Sequence, residues 1–111
     1  MQVLEFEKKS LLSTRYTLGV TVALVDEATV ESEFRHIKEA ILQWVASRRR
    51  AAVRVLLTII ALEEQHDHIA EFVKTVYRRE SELGPVLRSI EFELSLLNDL
   101  GEVKQEIQFR T

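Results

Sequence analysis

Hydrophobic and polar residues alternate in several parts of this chain and recur at helical steps in others. In "RYTLGVTVALV", residues 15–25, Leu18, Val20, Val22 and Leu24 alternate with Thr17, Gly19, Thr21 and Ala23. A period of two is the mark of a strand with one buried face. "RSIEFELSLL" repeats it, with Ile90, Phe92, Leu94 and Leu96 against Glu91, Glu93 and Ser95. The turn residues "NDLG" follow, and "EVKQEIQFR" then places Val103, Ile107 and Phe109 on one side of a last strand, completing a hairpin. At the other end, "QVLEFEK" alternates with Leu4 and Phe6 as one face, and "KSLLST" would turn it into the Leu18 strand.

Two segments carry the helical period. From Thr29 to Arg50, Val30, Phe34, Ile37, Ile41, Trp44 and Val45 recur at steps of three and four. From Asp67 to Leu83, Ile69, Phe72, Val73, Val76 and Tyr77 do the same, and Gly84 with Pro85 reads as a stop. Between them lies "AAVRVLLTIIALEE". Its Val53, Leu56, Leu57 and Ile60 also fit helical spacing, so one long helix from Trp44 to Arg79 is the competing arrangement. The β-branched Val53, Val55, Thr58, Ile59 and Ile60 favour a buried central strand.

The predicted order is ββαβαββ: a two-layer α+β sandwich, with two helices on one face of a five-stranded mixed sheet. Strands two, three and four run parallel through right-handed crossovers, and the terminal hairpins add antiparallel edges.

At 111 residues, 46% apolar and 30% charged, residues 1–111 fit a single domain. The densest apolar run, Val53 to Leu62, is too short to span a bilayer, and "MQVLEFEKKS" lacks the basic-then-apolar pattern of a secretory leader. A soluble, cytoplasmic protein is expected. Cysteine is absent, which removes disulfides, thiolate metal sites and thiol nucleophiles. A net charge of −3 gives no general attraction to nucleic acid or anionic lipid.

One stretch has the residue types of a reactive site: "ALEEQHDH", residues 61–68. The C-terminal ends of parallel strands are where open α/β sheets place ligands. There the sequence puts Asp26 and Glu27, then Glu63 to His68, then Asn98 and Asp99. Carboxylates and imidazoles without thiolate suit zinc, manganese or iron, which could activate a water. Under that alternative the protein is a small metal-dependent hydrolase or nuclease, with Asp26, Glu63 and Asp67 catalytic and Glu63, His66 and His68 binding the metal. The same residues also serve as helix starts. Acids favour the first turn, Asp67 is a natural N-cap, and Asp26, Glu27 and Thr29 precede the first helix likewise. His66 and His68 share a face only if the segment is extended, and no H-E-x-x-H spacing occurs.

His36 has the surroundings of an ordinary rim residue, between Phe34 and Ile37. Ser10, Ser13 and Thr14 have no histidine nearby in sequence, and Gly19, Gly84 and Gly101 are too scattered for a phosphate loop. "SRRRAAVR" holds Arg48, Arg49, Arg50 and Arg54 without interleaved aromatics. It reads as a helix end, as do Arg78 and Arg79, and nucleic acid is not an expected partner.

The segment from "EQHDHIAEFV" to "EIQFR" resembles the second half of the ferredoxin-like periplasmic domains of type IV pilus and type II secretion alignment proteins. The resemblance covers under half the chain, in the order strand, helix, short stop and strand hairpin. It rests on shared hydrophobic patterning and lacks the membrane helix those proteins carry.

The favoured reading is a non-enzymatic interaction or assembly subunit, a homo-oligomer with no cofactor, with a protein partner as the other candidate occupant of its surface. Its interface is the sheet face opposite the helices, which would show Thr17, Thr21 and Ala23 beside Leu56, Thr58 and Ile60, with Gly19 and Val25 in the same row. Glu91, Glu93, Lys104 and Glu106 would form a charged rim. Alternatively, the N-terminal hairpin folds over this patch within one chain.

Overall fold

The computed structural model describes residues 2–9, 14–23, 27–48 and 52–109. Its elements are β1 (Gln2–Lys9), β2 (Thr14–Ala23), α1 (Glu27–Ala46), β3 (Ala52–Ile60), α2 (His66–Arg79), α3 (Leu83–Arg88), β4 (Glu91–Leu97) and β5 (Val103–Phe109). The five strands form one sheet in the order β1-β2-β3-β4-β5. β2, β3 and β4 are parallel, and β1 and β5 are antiparallel edges. The parallel pairs are direct neighbours, so no strand is inserted between them as in the split βαβ unit of ferredoxin-like sheets.

Residues 52–60 are a strand, not part of a long helix. Their alternation decides it: Val55, Leu57 and Ile59 are buried, pairing with Leu18, Val20 and Val22 on one side and Phe92, Leu94 and Leu96 on the other. This block is covered by Val30, Phe34, Ile37, Ile41 and Trp44 of α1, by Ile69, Val73 and Tyr77 of α2, and by Leu83 and Leu87 of α3. Phe109 closes the end of the core, with ring centroids 4.8 Å from Tyr77 and 5.1 Å from Phe92.

The Gly84–Pro85 pair does not stop the second helix. α2 ends at Arg79, and Gly84 and Pro85 lie in the first turn of α3, where proline's missing N–H costs nothing. The Glu80 carboxylate accepts from the N–H groups of Leu83 and Gly84, while Arg88 donates to the carbonyl of Tyr77 at the end of α2. Burial alone would push the Glu80 carboxyl up. The N–H groups of Leu83 and Glu82 and the Lys38 ammonium outweigh it and hold the group below its ordinary value. Lys38 ties α1 to this turn, 3.2 Å from Glu80 and 2.9 Å from Glu82.

The arginine run is divided between the two faces. Arg48 stacks over Tyr16 and Trp44 and pairs with Glu5 at 2.8 Å, whereas Arg54 pairs with Glu93 at 3.0 Å. α1 has no basic residue in its last turn, so helix capping does not account for Arg48; Arg78 and Arg79 do lie in the last turn of α2. Arg49 and Arg50 are outside the described residues. Among the described residues, no helix is long and apolar enough to cross a membrane.

Candidate interaction surface

The carboxylate and histidine stretch follows β3 as a 3-10 turn, Glu63–Gln65, that runs directly into α2. The helix therefore starts before Asp67. Gln65 holds the N-cap position without a side-chain bond, and Asp67 is in the first turn. His66 is 6% exposed, with Nε2 3.0 Å from the carbonyl oxygens of both Ala61 and Leu97. Carbonyls only accept, so Nε2 carries the proton and donates to both. The ring thereby fastens the C-terminal ends of β3 and β4 together, beside the backbone bond from Ala61 to Leu97 at 3.0 Å.

Glu63 is held by Asn98 Nδ2 at 3.2 Å and by Lys104 at 3.6 Å. The Asn98 bond, followed by the Lys104 charge, keeps its carboxyl below the ordinary value. Asn98 is itself buried and organises the β4–β5 turn, its Oδ1 accepting from Leu100 N at 3.0 Å and Glu102 N at 2.9 Å. Asp67 and His68 are exposed on α2. Among the described residues, no three His, Asp or Glu side chains come together in a group that could hold a metal. Asp26 lies outside the described residues.

The other face of the sheet is organised across the strands. Register places Phe6, Thr17, Arg54 and Glu91 in one transverse row, and Leu4, Gly19, Leu56 and Glu93 in the next. Gln2, Thr21, Thr58, Ser95 and Glu106 form a third, and Ala23, Ile60, Leu97 and Val103 a fourth. These rows alternate with the buried positions, so they occupy the side away from α1, α2 and α3. The six sequence-predicted interface residues, Thr17, Thr21, Ala23, Leu56, Thr58 and Ile60, thus share one face. Val25 is outside the described residues.

Four apolar residues of this face were not anticipated: Leu4, Phe6, Leu97 and Val103. β1 lies beside β2 in the sheet instead of folding over it, and adds Leu4, 50% exposed, and Phe6, 57% exposed. A β-bulge opposite Leu96 and Leu97 moves Val103 to the open side, 55% exposed, away from Ile107 and Phe109. The bulge also takes Lys104 out of the rim: its ammonium turns to Glu63 and Glu102. Leu4 and Phe6 carried a signal in their alternation, but only pairing with Gly19 and Thr17 fixes which side they face.

The charges on the open face are segregated. Lys8 and Arg15, a register pair, are exposed on the β1–β2 flank. Glu91, Glu93 and Glu106 lie on the β4–β5 flank, where Arg54 offsets one of them. Lys8, Arg15 and Arg54 also line a recess of about 220 Å³ that Glu91 borders.

No family model matches the chain, and no curated protein or solved structure matches it either.

Proposed function

We propose that this protein is a non-enzymatic assembly subunit that associates with copies of itself through the open face of its sheet. The observation that carries this reading is the continuity of the uncovered apolar surface. Leu4, Phe6, Leu56, Ile60, Leu97 and Val103 share one face, with only small or uncharged side chains at Thr17, Gly19, Thr21, Ala23 and Thr58 between them. Patches of a few hundred Å² are the scale at which soluble chains bury surface against a partner. Covering such a face also relieves the exposed rings and aliphatics at roughly 25 cal/mol per Å² of apolar area, an upper bound before the cost of association.

The hydrolase alternative draws less support. His66 spends its Nε2 proton on two carbonyls, and Glu63 is engaged by Asn98 and Lys104. These are the bonds of a structural clasp.

Light scattering at high micromolar concentration tests the assembly reading. Wild-type protein is expected to run as an oligomer and Ile60→Glu as a folded monomer, because the new carboxylate would be buried at the centre of the contact. A wild-type monomer, or an oligomer whose mass Ile60→Glu leaves unchanged, rules this interface out.

A further inference from the structure

We infer that the occupant of the open face is a second copy laid face to face across a two-fold axis running along β3, so that the Lys8–Arg15 flank of each copy meets the Glu91–Glu106 flank of the other. This rests on the assembly reading above and specifies its geometry.

The argument comes from the distribution of charge. On the β1–β2 flank Lys8 and Arg15 give two positive charges; on the β4–β5 flank Glu91, Glu93 and Glu106, offset by Arg54, leave two negative ones. The uncharged centre of the face, Leu56, Thr58 and Ile60, lies on β3 between them. A face that is positive on one side and negative on the other has two simple ways to meet its own copy. Rotation about an in-plane axis perpendicular to the strands sets β4 over β4 and brings Glu91, Glu93 and Glu106 of the two copies together, acidic flank on acidic flank. Rotation about an axis along β3 exchanges the flanks and sets positive on negative.

Only the second arrangement is self-complementary. It superposes β2 of one copy on β4 of the other, at nearly the same height along the strands. Arg15 lies one row beyond the row containing Glu91, within reach of two long side chains. The recess lined by Lys8, Arg15 and Arg54, three cations against the chain's own Glu91, then faces the carboxylate of Glu91 from the second copy, whose side chain is 71% exposed in the isolated chain. The two Arg15–Glu91 pairs of such a contact lie at its rim, where charge sets orientation and encounter rate more than affinity.

A mixing experiment decides it. One variant, Lys8→Glu with Arg15→Glu, has carboxylates in place of the cations on its β1–β2 flank; the other, Glu91→Lys with Glu106→Lys, has carboxylates replaced by cations on its β4–β5 flank. All four positions are exposed, and circular dichroism with thermal melting checks that both variants fold. Each alone is expected to lose self-association by tenfold or more, and an equimolar mixture to recover a one-to-one complex in native mass spectrometry. Wild-type association should weaken with added salt. Two variants that self-associate like wild type, or a mixture that stays monomeric while wild type is an Ile60-dependent dimer, would overturn the arrangement and leave the open-face interface standing. A wild-type protein whose mass Ile60→Glu does not alter would overturn both.

Discussion

Phe6 lies across Gly19: the ring's Cε2 is 3.7 Å from the point where a Cβ on Gly19 would stand. Phe6 is paired in register with Thr17, so its ring reaches diagonally to cover backbone that the glycine leaves bare. The hypothetical Cβ is also 3.7 Å from the Leu4 carbonyl, an ordinary contact, and Gly19 does not have positive φ. Gly19→Ala should therefore stabilise the fold by about 0.5–1 kcal/mol, while Phe6→Ala destabilises it. Urea unfolding in an Ile60→Glu background removes any contribution from assembly. A loss of stability in Gly19→Ala would mean the two strands are closer than this contact allows.

Gly84 is in the opposite situation. A Cβ there would meet Arg88 Nη1 at 3.0 Å, the Tyr77 carbonyl at 3.1 Å and the Val76 carbonyl at 3.2 Å, and two of these atoms are backbone. A side chain at this position would press helix α3 away from the end of α2 by a few tenths of an ångström. Gly84→Ala is expected to cost about 1–3 kcal/mol, despite alanine's better helix propensity. Calorimetry should show a clear fall in Tm, and an unchanged or raised Tm would contradict the close packing.

His66→Ala removes the N–H that bridges Ala61 and Leu97. The Leu97 carbonyl keeps its bond from Ala61 N, so the expected loss is about 1–3 kcal/mol, not unfolding. Amide exchange should accelerate at the ends of β3 and β4 first. Elemental analysis of wild type should find no stoichiometric transition metal. One metal per chain that disappears in a His66→Ala, His68→Ala variant would instead make a metal-dependent activity the leading explanation.

Glu80 makes stability depend on pH. Its folded-state carboxyl is held below the ordinary value of about 4.3, so the stabilisation it gives is complete above that pH and is lost as pH falls through the folded value. Glu80→Gln should be less stable near neutrality and show a shallower decline between about pH 5 and pH 3. Parallel acid limbs in the two proteins would show that the carboxylate's contacts with Leu83, Gly84 and Lys38 do not distinguish its charged form.

The alternation of Leu18 to Val22 and of Phe92 to Leu96, and the helical spacing of Val30 to Trp44, were enough to give the layers and the strand directions. What escaped was set by contacts between distant segments. Gly84 and Pro85 have the chemistry of a helix stop, and whether they end one helix or open another depends on where the Glu80 carboxylate finds N–H groups. Val103 follows the alternation of Ile107 and Phe109 on paper, yet one bulged residue reverses its side. Leu56, Thr58 and Ile60 were legible as the open side of β3 because their neighbours fit the core pattern so well. The role of His66 was hidden for a different reason: its partners are main-chain oxygens, which every sequence has and none displays.

Strand β3 has consequences for how the chain comes to be folded. Each terminal hairpin joins residues close in sequence, so β1–β2 and β4–β5 can close early, each as a local event. Val55 must instead meet Leu18 and Phe92, each separated from it by a whole helical crossover. Until it does, both hairpins present unsatisfied inner edges, and each could accept a strand from another molecule. Docking of the central strand is accordingly the step expected to be slow, because its pairings close the longest loops, and the open edges before it are where mispairing between molecules is expected.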